Sequence, residues 1–367
     1  MGKSSDFRSD FFKWIRDGVY GLGEKLPSEA RLSEELGISR VMIREGLAML
    51  AEQGYVVRRH GAGTFVTEQL PCAKSNSARI VAAWVPSSRS AIGAYGRIVD
   101  GIEEELYERG YTFVLCNHRN EQKRAEDYLK KLTSSGICGI LYIPMEVDNY
   151  REQNLAIIRR IESYNIPVVL LDKALSTEDF SRFDYAGTDG FDSMRSIVNY
   201  LAKLGHRKIA YIGSRPGYTS EQRYRGYEEG MFDNNLKIDP QYIRHKPLFV
   251  VSEEEGKAEI EELLVLKELP SAIVCLHDII ARNVCAAIQK SGLSIPGDIS
   301  VTGFDDLPFA EYLNPALTTV RQPFGLLGKT GVELLLKKVA GESSCREQRT
   351  IANTIVYRNT CAAPSGR

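Results

Sequence analysis

The sequence predicts an α/β protein in which an N-terminal winged helix-turn-helix precedes two lobes of doubly wound parallel sheet. Three observations carry that prediction. Residues 26–66 hold two short helical patterns with capping residues, then two β-rich runs around a basic, glycine-hinged turn. From Arg79 onward, near-continuous apolar runs alternate with amphipathic stretches of helical period. The alternation comes in two sets, and apolar strands spaced by helices imply parallel sheets covered on both faces.

Taken in order, residues 7–17 place Phe7, Phe11, Trp14 and Ile15 on one helical face, a first helix packed beneath the helix-turn-helix. Ser28 precedes the acidic Glu29, and Leu32, Leu36 and Gly37 outline a short amphipathic helix with a glycine stop. Ser39 caps a second helix whose apolar positions are Ile43, Leu47 and Leu50. Arg40 and Arg44, four apart, share one of its faces. The runs Tyr55–Val57 and Thr64–Val66 flank Arg58-Arg59-His60-Gly61-Ala62-Gly63, a hairpin with a cationic tip. Such a unit suits a DNA groove, because the second helix enters end-first while the wing approaches the backbone.

These residues resemble the DNA-binding domain of GntR-family transcription regulators from about Phe11 to Val66. The resemblance is carried by Gly23, Leu26-Pro27-Ser28-Glu29, Leu32, Ser39-Arg40, Arg44-Glu45 and Gly61-x-Gly63-Thr64-Phe65-Val66. It implies a reading surface of Arg31, Ser39, Arg40, Val41, Met42, Arg44, Arg58, His60, Gly61 and Gly63. The family commonly has Arg where Ala30 stands; Arg31 lies one place along, about 100° around the helix. Val41 and Met42 replace hydroxyl residues, which favours apolar contacts to thymine methyls.

The polar, aperiodic stretch at 69–78 reads as a linker. Beyond it, strands are expected at Ile80–Val85, Tyr111–Cys116, Ile137–Ile143, Ile166–Leu171, Lys208–Gly213, Ala272–Leu276 and Ile299–Phe304. Helices are expected between them, for example at Ile98–Arg109, Asp192–Leu204, Glu221–Asn234 and Asp278–Gly292. Ligands of open α/β sheets bind beyond the carboxyl ends of strands. The polar residues there are Asp172, His277-Asp278 and Asp305-Asp306, with Asp278 expected to cap the following helix.

Residues 79–340 resemble the effector domain of LacI/GalR regulators, which is shared with periplasmic sugar-binding proteins. The motifs are Leu204-Gly205-His206-Arg207-Lys208-Ile209-Ala210, Arg223-x-x-Gly226-Tyr227, Ile295-Pro296-Gly297-Asp298 through Asp306, and Leu317-Thr318-Thr319-Val320-x-Gln322. The resemblance implies lobes at 79–183 plus 322–349 and at 184–321 plus 350–367. It implies a sugar-type effector held by Asp172, Arg223, His277 and Asp305. Tyr95, Trp84 and Phe249 are candidates to cover the apolar face of a sugar ring. A carboxylate accepts two hydroxyl protons and Arg223 offers a planar fork to vicinal oxygens. Departures from the family pattern fall at His277, usually Asn, and at Asp189-Gly190, usually Asp-Asn.

Composition bounds the rest. The chain has 367 residues, 43% hydrophobic and 26% charged, with a net charge of −1. No global cationic field exists, so DNA binding rests on local placement, with Arg40, Arg44, Arg58 and Arg59 facing one way. Seven cysteines form no CxxC pair and mostly sit in apolar runs, as small buried hydrophobes do. Charge interrupts the N-terminus and no apolar run reaches ~18 residues, so a membrane span or signal peptide is not expected and the chain reads as cytoplasmic. Neither a metal-ligand cluster, a catalytic triad nor a glycine-rich nucleotide loop is visible, so no enzyme activity, cofactor or metal is expected. The reading is a homodimeric regulator on a near-palindromic operator, a repressor controlled by a sugar or sugar derivative. A sugar phosphate with activator or co-repressor logic is the alternative.

Overall fold

The structure of the protein is a computed structural model. It describes residues 11, 14 and 19–365, apart from 53, 60, 68–78, 87–93, 148, 177–179, 216, 248–253 and 344. The chain divides into two compact units, Met1–Ala78 with Lys337–Glu342, and Arg79–Leu336 with Ser343–Arg367.

The first unit contains α1 (Glu29–Leu36), α2 (Arg40–Glu52), β1 (Val56–Arg59) and β2 (Gly63–Val66). Ser28 Oγ accepts the Arg31 amide at the start of α1, and Gly37 closes it at φ 66°, a left-handed conformation that suits a residue without Cβ. Leu32, Ile43, Leu47 and Leu50 meet Leu26, Val56, Val66 and Phe11 in one core. Phe11 and Trp14 belong to the expected first helix; most of residues 7–17, and the linker 69–78, lie outside the described residues. β1 and β2 pair antiparallel with Arg58 opposite Thr64 and Arg59 opposite Gly63. The two arginines therefore lie in the strand, not at the tip as expected, because pairing continues two residues further than the apolar run.

Among the described residues the second unit holds two parallel sheets and one two-stranded antiparallel pair. The first runs β13-β7-β6-β5-β3-β4, all parallel, from β3 (Ile80–Val85), β4 (Thr112–Asn117), β5 (Gly139–Tyr142), β6 (Val168–Leu171), β7 (Asp184–Thr188) and β13 (Gln348–Ile351). Helices α3 (Ala94–Glu108), α4 (Gln122–Ser134) and α5 (Tyr150–Glu162) connect its early strands. The second sheet runs β11-β10-β8-β9, also parallel, from β8 (Ile209–Arg215), β9 (Ile243–Pro247), β10 (Ala272–Cys275) and β11 (Ser300–Thr302). Its helices are α6 (Gly190–Leu204), α7 (Tyr218–Asp233), α8 (Lys257–Leu264) and α9 (Asp278–Lys290). β5, β6 and β10 are buried along their whole length, which is why their sequences read as unbroken apolar runs.

Three chain crossings join the lobes, and here the expected boundaries shift. The resemblance places residues 184–188 in the second lobe, but they form β7, paired to β6 and β13 within the first sheet. The reason is Asp184: fully buried, its carboxylate accepts Arg346 Nη1 at 2.9 Å and the Glu347 amide at 2.8 Å, which fixes β13 beside β7. The crossing falls at Asp189, not Asp184. By the same pairing, Thr350 and Ile351 stay in the first lobe, and the chain leaves it after β13. The remaining crossing lies between β12 (Thr319–Arg321) and α10 (Phe324–Val339), with β12 paired antiparallel to β14 (Thr354–Val356).

Helices α6 and α7 pack closely because two glycines face α6. A Cβ on Gly226 would lie 2.2 Å from the Phe191 carbonyl, and one on Gly230 2.6 Å from Val198 Cβ. That approach places the first turn of α6 against Arg223 of α7, whose Cγ would lie 3.4 Å from a Cβ on Gly190.

Candidate functional site

The surface formed by α2 and the wing comes first. Ser39 Oγ accepts the Met42 amide at 3.3 Å and so caps α2. Val41 and Met42 are exposed in its first turn. Large apolar side chains in water at a helix start are suited to contact base methyls. Arg40 is exposed and has no partner among the described residues. Arg44 Nε donates to Glu29 Oε2 at 3.0 Å, and Arg58 Nη2 lies 3.9 Å from Glu29 Oε1 and 3.4 Å from the Arg44 carbonyl. Glu29 therefore sits on the basic face itself, beside Arg44 and Arg58. Arg31 pairs with Glu35 at 2.9 Å, one turn along its own helix. Arg59 stacks over Phe65, 4.8 Å from the ring centroid. Gly61 and Gly63 adopt φ 71° and 112°. A Cβ on Gly63 would also lie 2.8 Å from Lys25 Cε. His60 lies outside the described residues.

The second candidate site is a cleft of about 190 Å³ between the lobes. Its polar wall is built from Asp172, Thr188, Asp189, Gln222, Arg223, Gln322 and Thr350; its aromatic wall from Phe180, Tyr185, Phe191 and Tyr218. Asp172 follows β6 in a left-handed conformation, φ 64°. Burial raises its carboxyl above the usual range, partly offset by Lys173 and Arg223. Arg223 is buried on α7, its Cζ 3.7 Å from the Phe304 ring centroid. Its Nη1 donates to the Leu276 carbonyl at 2.6 Å and its Nη2 to Asp305 Oδ1 at 3.2 Å. The same Oδ1 accepts Gln322 Nε2 at 2.6 Å, and Thr188 Oγ1 donates to Gln322 Oε1. A chain of side chains thus runs from the second lobe through Gln322, at a crossing, to β7 of the first. Two buried groups on the cleft wall, Arg223 Nε and Thr219 Oγ1, have no hydrogen-bond partner among the described residues. Unpaired buried donors at a cleft are costly and suit a bound ligand that supplies oxygens.

Not every expected residue reaches this cleft. Asp305, φ 111°, holds Arg223 and Gln322 without lining the space itself. His277 turns away: its Nδ1 accepts the Ile280 amide at 3.4 Å and its Nε2 lies 2.9 Å from Glu255 Oε2. It, and not Asp278, is the cap of α9. Asp278 is buried and accepts the Leu307 amide at 2.7 Å and Thr319 Oγ1 at 2.6 Å, tying β12 to the end of β10. Tyr95 lies beside the cleft, where its hydroxyl accepts Lys173 Nζ at 2.7 Å, and Lys173 also pairs with Glu146. Trp84 is fully buried in β3, edge-on to Tyr142, and offers no face to a ligand. Phe249 lies outside the described residues. The aromatic wall was missed because Phe180, Tyr185 and Tyr218 carry no motif; Phe191 had a signal, standing next to the atypical Asp189-Gly190.

Among the described residues no group of acidic, histidine or cysteine side chains is placed to hold a metal, and no helix is long and apolar enough to cross a membrane.

A groove-reading head and a hinged small-molecule clamp in one chain define a ligand-responsive DNA-binding regulator. Residues 12–66 match the bacterial regulatory proteins of the gntR family, and residues 198–361 match the periplasmic binding protein-like domain. An arabinose metabolism transcriptional repressor of Geobacillus stearothermophilus is 27% identical across 98% of this chain and 95% of its own. An HTH-type transcriptional repressor PurR of Aliivibrio fischeri is 28% identical, over 78% of this chain and 82% of its own. The solved transcriptional regulator CelR–cellobiose complex shares the fold at 21% identity, with a TM-score of 0.70 over 91% of this chain and 100% of that one. The chain is a DNA-binding transcription regulator in which residues 12–66 match the gntR-family model and residues 198–361 the periplasmic binding protein-like model.

Proposed function

We propose that the protein represses transcription by binding a near-palindromic operator as a homodimer in the cytoplasm, and that a sugar in the interlobe cleft controls that binding. The observation that carries the reading is the cleft itself. Carboxylates, unpaired donors and aromatic faces converge where the two lobes are joined by three crossings. A sugar presents hydroxyls that both donate and accept, plus an apolar ring face. The names of the relatives support this reading: one represses arabinose metabolism, and a structural neighbour holds cellobiose. Two identical readers on a two-fold axis match inverted half-sites. Shifting operator occupancy from 1:99 to 99:1 requires the sugar to favour one lobe geometry by roughly 5.5 kcal/mol.

The experiment selects bound duplexes from a random pool with the purified chain, then compares it with Arg44→Ala. The variant is expected to lose retention of the selected operator while keeping the rise in Tm that a sugar produces. Loss of both responses, or of neither, contradicts the division of labour.

A further inference from the structure

Resting on the sugar reading, we infer that the cleft selects an uncharged sugar and discriminates against phosphorylated and acidic ones, because carboxylates stand on its wall and both terminal nitrogens of the arginine that lines it are already engaged. Arg223 is the only cation lining the main cleft among the described residues, and its two terminal nitrogens are engaged by the Leu276 carbonyl and Asp305. Lys173 lines a small separate pocket that shares Tyr218 with the cleft, where it pairs with Glu146 and donates a hydrogen bond to the Tyr95 hydroxyl. His277, the remaining candidate for an anion, is turned onto Glu255.

The α6 end facing the cleft is filled as well. At α6 the Asp189 carboxylate accepts the Asp192 amide at 2.9 Å, so the position a phosphate would take at that N-terminus already carries a negative charge. The first turn of α7 opens on the cleft at Tyr218 and Thr219 without a side-chain cap, and the acidic Glu221 in that turn opposes a second negative charge there. What the cleft still offers is uneven. Asp172 and Asp189 stand on its wall with Asp305 directly behind, and carboxylates ask for donors. The unfilled donors are single groups, Arg223 Nε and Thr219 Oγ1. A hydroxyl can donate to the first set and accept from the second. A phosphate or carboxylate accepts only, and would face Asp172 and Asp189 across a space from which water is partly excluded.

The test measures affinity and Tm of the full chain with matched pairs: L-arabinose and D-ribose with their 5-phosphates, D-glucose with glucose 6-phosphate and glucuronate, and cellobiose alone. Inorganic phosphate at matched ionic strength is the bare anion probe. At least one neutral sugar is expected to raise Tm, with its anionic counterpart bound at least about tenfold more weakly and phosphate without effect. Asp189→Asn keeps an amide-capping oxygen and is expected to narrow the neutral-to-anionic gap by several-fold; Asp172→Asn serves the same purpose should the first variant fold poorly. An anionic sugar that binds as tightly as its parent, or a gap unmoved in a folded variant, overturns the inference while leaving the sugar reading intact. Absence of any response to every carbohydrate, charged or neutral, overturns both.

Discussion

Arg223 and Asp305, 82 positions apart in the chain, meet in a 3.2 Å hydrogen bond between a buried guanidinium and a half-buried carboxylate. Asp305 emerges from the end of a buried strand with φ 111°, and Arg223 points inward from α7 across the face of Phe304. The pair sets the orientation of the cleft wall and, through Gln322, reaches the strand that joins the lobes.

Asp305→Ala leaves that guanidinium buried without its counter-charge. Removing one partner of a buried pair is expected to cost about 3–5 kcal/mol, read as a fall in the urea midpoint with unchanged slope. The sugar-induced rise in Tm should disappear, while operator affinity without sugar stays near that of the parent. A variant that still responds to sugar would show that Asp305 does not position the site.

Glu29 holds back two arginines of the reading surface, so Glu29→Gln is expected to strengthen DNA binding at low salt. The slope of log K against log salt should steepen by about one to two, since each additional phosphate neutralised adds about 0.9. Stability should change by no more than about 1 kcal/mol, because the pairs are solvent-exposed and the residue also sits in the first turn of α1. An unchanged slope would mean that Arg44 and Arg58 do not reach phosphates.

His118 is fully buried between the Ile143 carbonyl, 3.1 Å from Nε2, and the Asn120 amide, 3.2 Å from Nδ1. Burial pushes its pKa down to about 4. The unfolded chain therefore takes up this proton first as pH falls. The contribution to stability is complete above about pH 6.5 and is lost progressively between pH 6.5 and 4, amounting to about 3 kcal/mol at most. Denaturation midpoints across that window should slope less in His118→Gln than in the parent.

Gly226→Ala forces α7 away from α6, because the added carbon would lie 2.2 Å from the Phe191 carbonyl. A loss of about 1–3 kcal/mol is expected. Since Phe191 also lines the cleft, the response to sugar should weaken beyond what the lost stability explains. Equal losses in ligand-free stability and ligand response would place the effect in packing alone.

Much of this architecture is legible in short stretches of chain. Ser28 and Gly37 bracket one helix and Ser39 opens the next through contacts made within a few residues, so their roles follow from local spacing. The apolar runs of β5, β6 and β10 announce strands covered on both faces because burial on two sides leaves no position for a polar residue. The lobe boundary at Asp184, implied by resemblance alone, failed for the opposite reason: a partner 162 positions away makes that residue a buried clasp within the first sheet.

By itself, the amino-acid order determined the two modules, their sequence along the chain and the strand ends from which a site must be built. The tertiary structure alone decided which side chains at those ends face the cleft. It turned His277 onto Glu255, set Asp305 behind Arg223 and laid Glu29 across Arg44. The division comes from range: helices and strands are specified by neighbours a few residues apart, whereas a side chain's direction is settled by partners that only folding brings within hydrogen-bond distance.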